Sequence, residues 1–183
     1  MLQVLTGSAK GRKLKVPKGR KIRPMTSRVK KSVFDTLGDI GGLTVLDVFA
    51  GSGSLGIEAL SRGASSVTFV EKDNSVFRIL SENVSLCGFQ DRATFYRSDY
   101  ALAFKKLSSE AAAFDLIFLD PPYPLYESMG VSDLVLDAAM LLNSDGRIII
   151  EHNYNKDEDT PGLNRVTKSF GGTFVSYFEK RDT

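Results

Sequence analysis

Cysteine is almost missing from this 183-residue chain: Cys87 stands alone in VSLCGF, so no disulfide framework can staple the fold, and the thiol reads as buried and reduced. Histidine is equally scarce. His152 is the only one and ends an apolar strand pattern, where a structural hydrogen bond is the natural role, so no metal site is expected. No uninterrupted apolar run approaches the roughly 20 residues that a bilayer-spanning helix needs, and the basic start is not followed by the apolar core of a signal peptide. A cytoplasmic protein is the expectation. What is present describes an ordinary globular chain, 42% apolar and 25% charged, of a length that fits one domain with a full core.

Acidic residues are absent from positions 1–34, which hold eleven Lys or Arg, whereas the other 149 positions carry 13 basic and 22 acidic side chains. The net charge of +2 therefore hides a cationic end of +11 on a body of −9. Gly11, Pro17, Gly19 and Pro24 punctuate this end with turns, and Leu2, Val4, Leu5, Leu14, Val16 and Ile22 give it strand-like pieces. A small ordered basic appendage is expected over 1–26, ahead of a main domain over 27–183. Such segregated charge suits a polyanion, most simply nucleic acid, and the alternative is a solvated basic tail.

Beyond the appendage, helical spacing covers 27–37, with Ser27 as the candidate N-cap. Apolar strand patterns then alternate with helical ones: strands at 43–50, a second ending at Glu71, a weaker third ending at Asp99, 114–119 and 146–152; helices following the glycines, at 74–87, around 101–107 and at 132–142. This alternation predicts a parallel sheet covered on both faces. The end breaks the rhythm, since Gly171 and Gly172 leave room only for a turn between 166–170 and 173–179. A parallel sheet closed by an antiparallel hairpin departs from the strand-helix repetition of a dinucleotide-binding dehydrogenase.

GSGSLG at 51–56 matches the glycine-rich turn that follows a strand and opens a helix, a weak signal alone. Two acids sharpen it. Asp47 precedes Gly51 by four residues and would repel a pyrophosphate but favour an ammonium or sulfonium; its other reading is a structural acid bonded to loop amides. Glu71 ends the second strand, where a carboxylate can accept from two ribose hydroxyls. Together these point to S-adenosylmethionine, with Phe49, Ala50, Gly51, Gly53 and Lys72 completing the cofactor set. Asp99 either accepts from the adenine amine or caps the next helix, and one aspartate can do both.

FDLIFLDPPYPLY at 114–126 carries the sharpest signal. An apolar strand that stops at an aspartate and two prolines delivers a carboxylate, on rigid backbone, to the sheet edge that holds Gly51 and Glu71. Asp120 and the Pro121 carbonyl can accept the N–H groups of an exocyclic base amine, freeing its delocalised lone pair. Pro122 helps to hold those acceptors, and Tyr123 can stack on an extruded base.

With AKGRKLKVPKG, IRPMTSRVKKSVFDTL, LDVFAGSGSLGIEALSRGASSVTFVEKD, FDLIFLDPPY and GRIIIEH in one chain, the sequence resembles the RsmD-type bacterial 16S rRNA guanine-N2 methyltransferases. It departs from their pattern at Met25, Ser27 and Lys31, where threonine, aspartate and glutamate are usual. The resemblance implies a Rossmann-like α/β methyltransferase fold with seven strands ordered 3214576 and a basic N-terminal β-hairpin. It also implies transfer of a methyl group from S-adenosylmethionine to N2 of one guanine in 16S rRNA, within a mature or assembling small subunit; separately, a monomer is expected. Arg12, Lys13, Arg20, Arg23 and Arg28 are the candidate RNA contacts. The tetrad suits an adenine-N6 amine equally, in DNA or RNA. A non-catalytic RNA-binding assembly factor is the rival of another class, and an NAD dehydrogenase ranks last.

Overall fold

A computed structural model describes residues 2–17, 25–153 and 159–181. Helix α1 (Ser27–Leu37) leads into β1 (Thr44–Val48), α2 (Ser54–Ser61), β2 (Ser66–Val70), α3 (Asn74–Leu86), β3 (Ala93–Tyr96), α4 (Tyr100–Ser109) and β4 (Phe114–Leu119). Then follow α5 (Val131–Ala139), β5 (Leu142–His152), β6 (Leu163–Phe170) and β7 (Thr173–Lys180). The seven strands form one sheet in the order β3-β2-β1-β4-β5-β7-β6. Strands β1 to β5 pair in parallel, whereas β7 runs antiparallel between β5 and β6, so the sheet ends in the expected hairpin. Gly171 turns it with φ +68°, a conformation that costs glycine little.

Each face of the sheet buries its own core. On one, Val45, Phe69, Phe118 and Ile149 meet Val33 and Phe34 of α1, Leu55 and Leu60 of α2, and Leu80 and Val84 of α3. On the other, Leu46, Ile117, Ile148 and Phe178 meet Phe104 and Leu107 of α4 and Leu134 and Val135 of α5. Because both faces are covered, the central strands are apolar throughout rather than alternating. Among the described residues no helix is long and apolar enough to cross a membrane.

The N-terminal segment shares the first core through Leu2, Val4, Ala9 and Leu14. Its backbone folds back on itself through Val4 N–H to Arg12 O (3.0 Å), Gly11 N–H to Val4 O (2.9 Å) and Leu14 N–H to Leu2 O (2.9 Å), with one ladder bridge between Gln3 and Lys13. Glu58 of α2 then pins it, accepting from the amides of Leu5 (2.7 Å) and Thr6 (3.0 Å) while also bonding Arg62 (2.9 Å). The approach is so close that a Cβ on Gly7 would overlap the carbonyl oxygen of Ser61.

Several local readings of the sequence shift. The cap of α1 is Thr26 rather than Ser27: Thr26 is extended and its hydroxyl accepts from Val29 N–H, while Ser27 already lies in the helix. Strand β3 ends at Tyr96, three residues before Asp99, and β5 starts four residues early because Leu142 pairs with Phe114 across a bulge. Cys87 is half-buried rather than buried, and burial pushes its thiol pKa up, which keeps it protonated.

Lys30 and Glu58 form a fully buried ion pair, 3.3 Å apart, in which burial lowers the lysine pKa and the glutamate partly restores it. Removing one partner strands a charge inside the protein. Glu58→Ala is expected to lower unfolding free energy by about 3–5 kcal/mol in urea titrations, whereas Asp35→Ala, which breaks the exposed Lys31 pair, should cost well under about 1 kcal/mol. Equal losses would show that the buried pair does not hold the N-terminal segment down.

Candidate active site

Strand register decides which side chains meet at the carboxyl edge. Asp47 of β1 pairs with Phe69 of β2 and Phe118 of β4, and Phe118 pairs with Ile149 of β5. Because side chains alternate along a strand, the residues two positions further on keep the same face, about 7 Å beyond. Those residues are Glu71, Asp120 and Glu151. Asp47 within β1, Glu151 within β5, and Glu71 and Asp120 one residue past β2 and β4 thus come together at one edge, and all four line a single cavity of about 620 Å³.

The floor of that cavity is the turn after β1. Phe49 adopts φ +61°, a left-handed conformation rare for a bulky residue, and its ring packs 5.3 Å from that of Tyr100. Ala50 N–H bonds Val70 O (3.0 Å) and Gly53 N–H closes the turn on Ala50 O (2.8 Å). Glu71 braces the loop, one oxygen accepting from Gly51 N–H (3.0 Å) and the other from Asp73 N–H (2.8 Å). Asp47 reaches under the turn to Gly56 N–H (2.9 Å), and a Cβ at Gly56 would press to 2.9 Å from that carboxylate. Of the two readings of Asp47, the bond to a backbone amide is present, although the amide belongs to Gly56 in the first turn of α2 and not to the loop, and the side chain also lines the cavity.

Asp99 caps α4 by accepting from Ala101 N–H (3.0 Å) and lines the cavity as well. Asp120 follows β4 and lines the cavity together with Pro121, Pro122 and Tyr123, where Tyr123 opens a short 3-10 turn. The cavity thus gathers Asp47, Phe49, Ala50, Gly51, Glu71, Lys72, Asp99 and the tetrad. Gly53 stands behind it, packed against Leu80, where a Cβ would approach to 2.6 Å. Arg12, Lys13 and Arg28 are exposed and outside it; Arg20 and Arg23 lie outside the described residues. Among the other lining residues, Tyr100 and Glu151 have no role in the sequence reading, and Met25 enters it only as a departure from the family pattern. Glu151 carries the same signal as Asp120, an acid closing an apolar strand, without prolines to draw attention to it.

Crowded acids with little water hold their protons tightly. Burial pushes the Asp120 carboxyl well above its ordinary range, and the charges of Glu151 and Asp47 push it further, although part of its surface stays open to the cavity. Asp47 is raised to about 7, by burial first, opposed by the Gly56 hydrogen bond and reinforced by Glu71.

The strand order and closing hairpin define a Rossmann-like methyltransferase fold, with an acid-lined cleft at its carboxyl edge. The chain belongs to the family described as Conserved hypothetical protein 95, which matches residues 2–179 and is the RsmD-type family that its motifs resemble. It is 36% identical to YlbH of Bacillus subtilis, named as a candidate rRNA methyltransferase, over 98% of this chain and 100% of that one. It is 39% identical to ribosomal RNA small subunit methyltransferase D of Haemophilus influenzae, over 67% of this chain and 64% of that one. The solved structure of yhhF from Escherichia coli, described as a candidate methyltransferase, superposes with a TM-score of 0.83 at 28% identity, covering 98% of this chain and 97% of that one.

Since the folded chain holds the Asp47 proton more tightly than the unfolded one, this group's stabilising contribution is full below about pH 3.9. It is lost as pH rises through about 7. Without ligand, the melting temperature should therefore fall across that window, and Asp47→Asn, which keeps an acceptor for Gly56, should flatten part of the fall. Parallel curves for the two proteins would mean that Asp47 does not titrate there.

Proposed function

We propose that this chain methylates the exocyclic N2 amine of a guanine in 16S rRNA of the small ribosomal subunit, using S-adenosylmethionine. The observation that carries the reading is the shared cavity: the proline-held Asp120 and the glycine turn at Gly51 both line it, at the ends of the neighbouring strands β4 and β1. Support for the substrate comes from relatives named for rRNA and small-subunit methylation.

The cavity's chemistry fits this cofactor. Asp47, Glu71, Asp73, Asp99, Asp120 and Glu151 line it against one basic residue, Lys72. That balance disfavours a pyrophosphate and suits a ligand bearing an ammonium and a sulfonium. Glu71 and Asp99 retain acceptor capacity beyond their amide bonds and would hold ribose hydroxyls and the adenine amine; Gly51, without a side chain, leaves room for the tail. The bound cofactor supplies an electrophilic methyl group. The chain's own residues prepare the nucleophile. Asp120 and the Pro121 carbonyl accept the two N–H groups of the target amine, which turns its lone pair toward the cleft. To take the proton released on methylation Asp120 has to be ionised, a form that the positive charge of a bound sulfonium favours against the burial and neighbouring acids that push its pKa up. Pro121 and Pro122 hold that geometry before substrate arrives, and Tyr123 stacks on the extruded base.

With labelled cofactor and small subunits, the protein should transfer label, and digestion should yield N2-methylguanosine. N6-methyladenosine as product would replace the guanine assignment, and no transfer to rRNA would remove the reading. Asp120→Ala should lower turnover by at least about a hundredfold, the scale of a lost proton acceptor, while still binding S-adenosylhomocysteine; unchanged turnover would refute its role.

The exposed Arg12, Lys13 and Arg28, together with Arg20 and Arg23 of the same basic stretch of sequence, are the proposed RNA-binding groups. Replacing Arg12, Lys13 and Arg20 together by Ala should weaken subunit binding and lower the slope of log affinity against log salt by roughly one for each phosphate no longer neutralised. An unaltered slope would leave these side chains merely solvated.

A further inference from the structure

Asn83 is fully buried on α3, a helix whose other buried residues are Val76, Leu80 and Val84. An amide there costs free energy unless every polar atom is paired. Three hydrogen bonds satisfy it, and they join two distant segments. Its Oδ1 accepts from Lys15 N–H (2.8 Å), and its Nδ2 donates to Lys15 O (3.0 Å) and to Ser52 O (2.9 Å). Lys15 belongs to the basic N-terminal segment, and Ser52 lies in the glycine turn that lines the cavity.

A second buried tie runs in parallel. Lys30 Nζ donates to Gln3 O (3.0 Å) of the same N-terminal segment and to Ser54 Oγ (3.1 Å) at the far end of the same turn. Between the two ties, Gly53 rests on Leu80, one turn before Asn83. The glycine turn is thus gripped from behind at Ser52 and Ser54, and each gripping side chain also holds the N-terminal segment.

We propose that Asn83 is a positioning residue that holds the cofactor turn in its binding shape only while the N-terminal segment is seated, so that nucleic acid on that segment and the methyl donor in the cavity strengthen each other's binding. This rests on the cofactor reading above. The coupling is mechanical: the same amide that fixes Lys15 fixes Ser52, so ordering one end lowers the cost of ordering the other. Linkage makes the effect reciprocal. An apolar residue such as the neighbouring Val84 or Leu80 could pack a core at this place; only a group with an acceptor and two donors can bridge these two backbones.

Calorimetry with S-adenosylhomocysteine tests it on the full chain. Asn83→Ala should bind about tenfold more weakly, equivalent to about 1.4 kcal/mol, the size of one such hydrogen bond. Its KM for the methyl donor should rise with kcat at saturation unchanged. Leu107→Ala, in the opposite core, controls for lost stability and should bind as the unaltered protein does. Hydrogen exchange on the unaltered protein needs no variant: S-adenosylhomocysteine should slow exchange in residues 2–17. Undiminished affinity in Asn83→Ala, an equal loss in Leu107→Ala, or unchanged exchange in that segment would overturn the proposal. An unaltered protein that binds no S-adenosylhomocysteine would instead overturn the cofactor reading from which it starts.

Discussion

The parallel register between β1 and β4 is the constraint on which everything else depends. Val45 faces Leu116 and Val48 faces Leu119, so Asp47 and Asp120 fall on one face of the sheet. A slip of one residue would turn Asp120 into the opposite core and leave the glycine turn without its counterpart. The register is anchored at the amino ends of the strands, where Asp115 accepts from both the amide and the hydroxyl of Thr44, each at 2.8 Å, and from Asn143 Nδ2 at 2.7 Å. These bonds hold the Asp115 carboxyl below its ordinary pKa, so it stays charged and keeps accepting. The cleft at one end of the sheet is aligned by a polar clasp at the other.

The same face concentrates charge that the fold would otherwise avoid. Buried acids are costly unless they are bonded or protonated. Asp47 and Glu71 offset part of that cost by holding the amides of Gly56 and Gly51, which shapes the turn. Asp120 answers its burial by holding its proton more tightly. One arrangement therefore gives braced acids on the side of β1 and β2 and an acid of raised proton affinity after β4. The N-terminal segment is drawn into the same construction: the buried side chains of Glu58, Ser61, Asn83 and Lys30 tie it to α1, α2 and α3 through hydrogen bonds, while Arg12 and Lys13 remain exposed.

How legible this was in the sequence varied with the range of the interaction. The strands of the centre were readable because apolar runs of five or six residues between turn signals have few other homes, and the tetrad and Glu71 because an acid at the end of such a run is costly without a purpose. Strand order came through the resemblance, not through periodicity. Boundaries set by partners were not readable: β5 starts at Leu142 because Phe114 is there to pair with it, and Thr26 outcompetes the adjacent Ser27 only through its backbone angles. Glu151 was passed over for lack of neighbouring prolines. Asn83 was invisible, since a polar residue in an amphipathic helix reads as solvated until the segment that covers it, 68 residues away in the chain, is seen.

The central claim is spatial: the acid after β4 and the glycine turn after β1 serve one ligand. A crystal structure with S-adenosylhomocysteine bound tests it most directly. The account requires the ribose at Glu71, the tail along Gly51 and the sulfur turned across the cavity toward Asp120 and the Pro121 carbonyl. A ligand seated with its sulfur away from β4, or bound on another edge of the sheet, would contradict it.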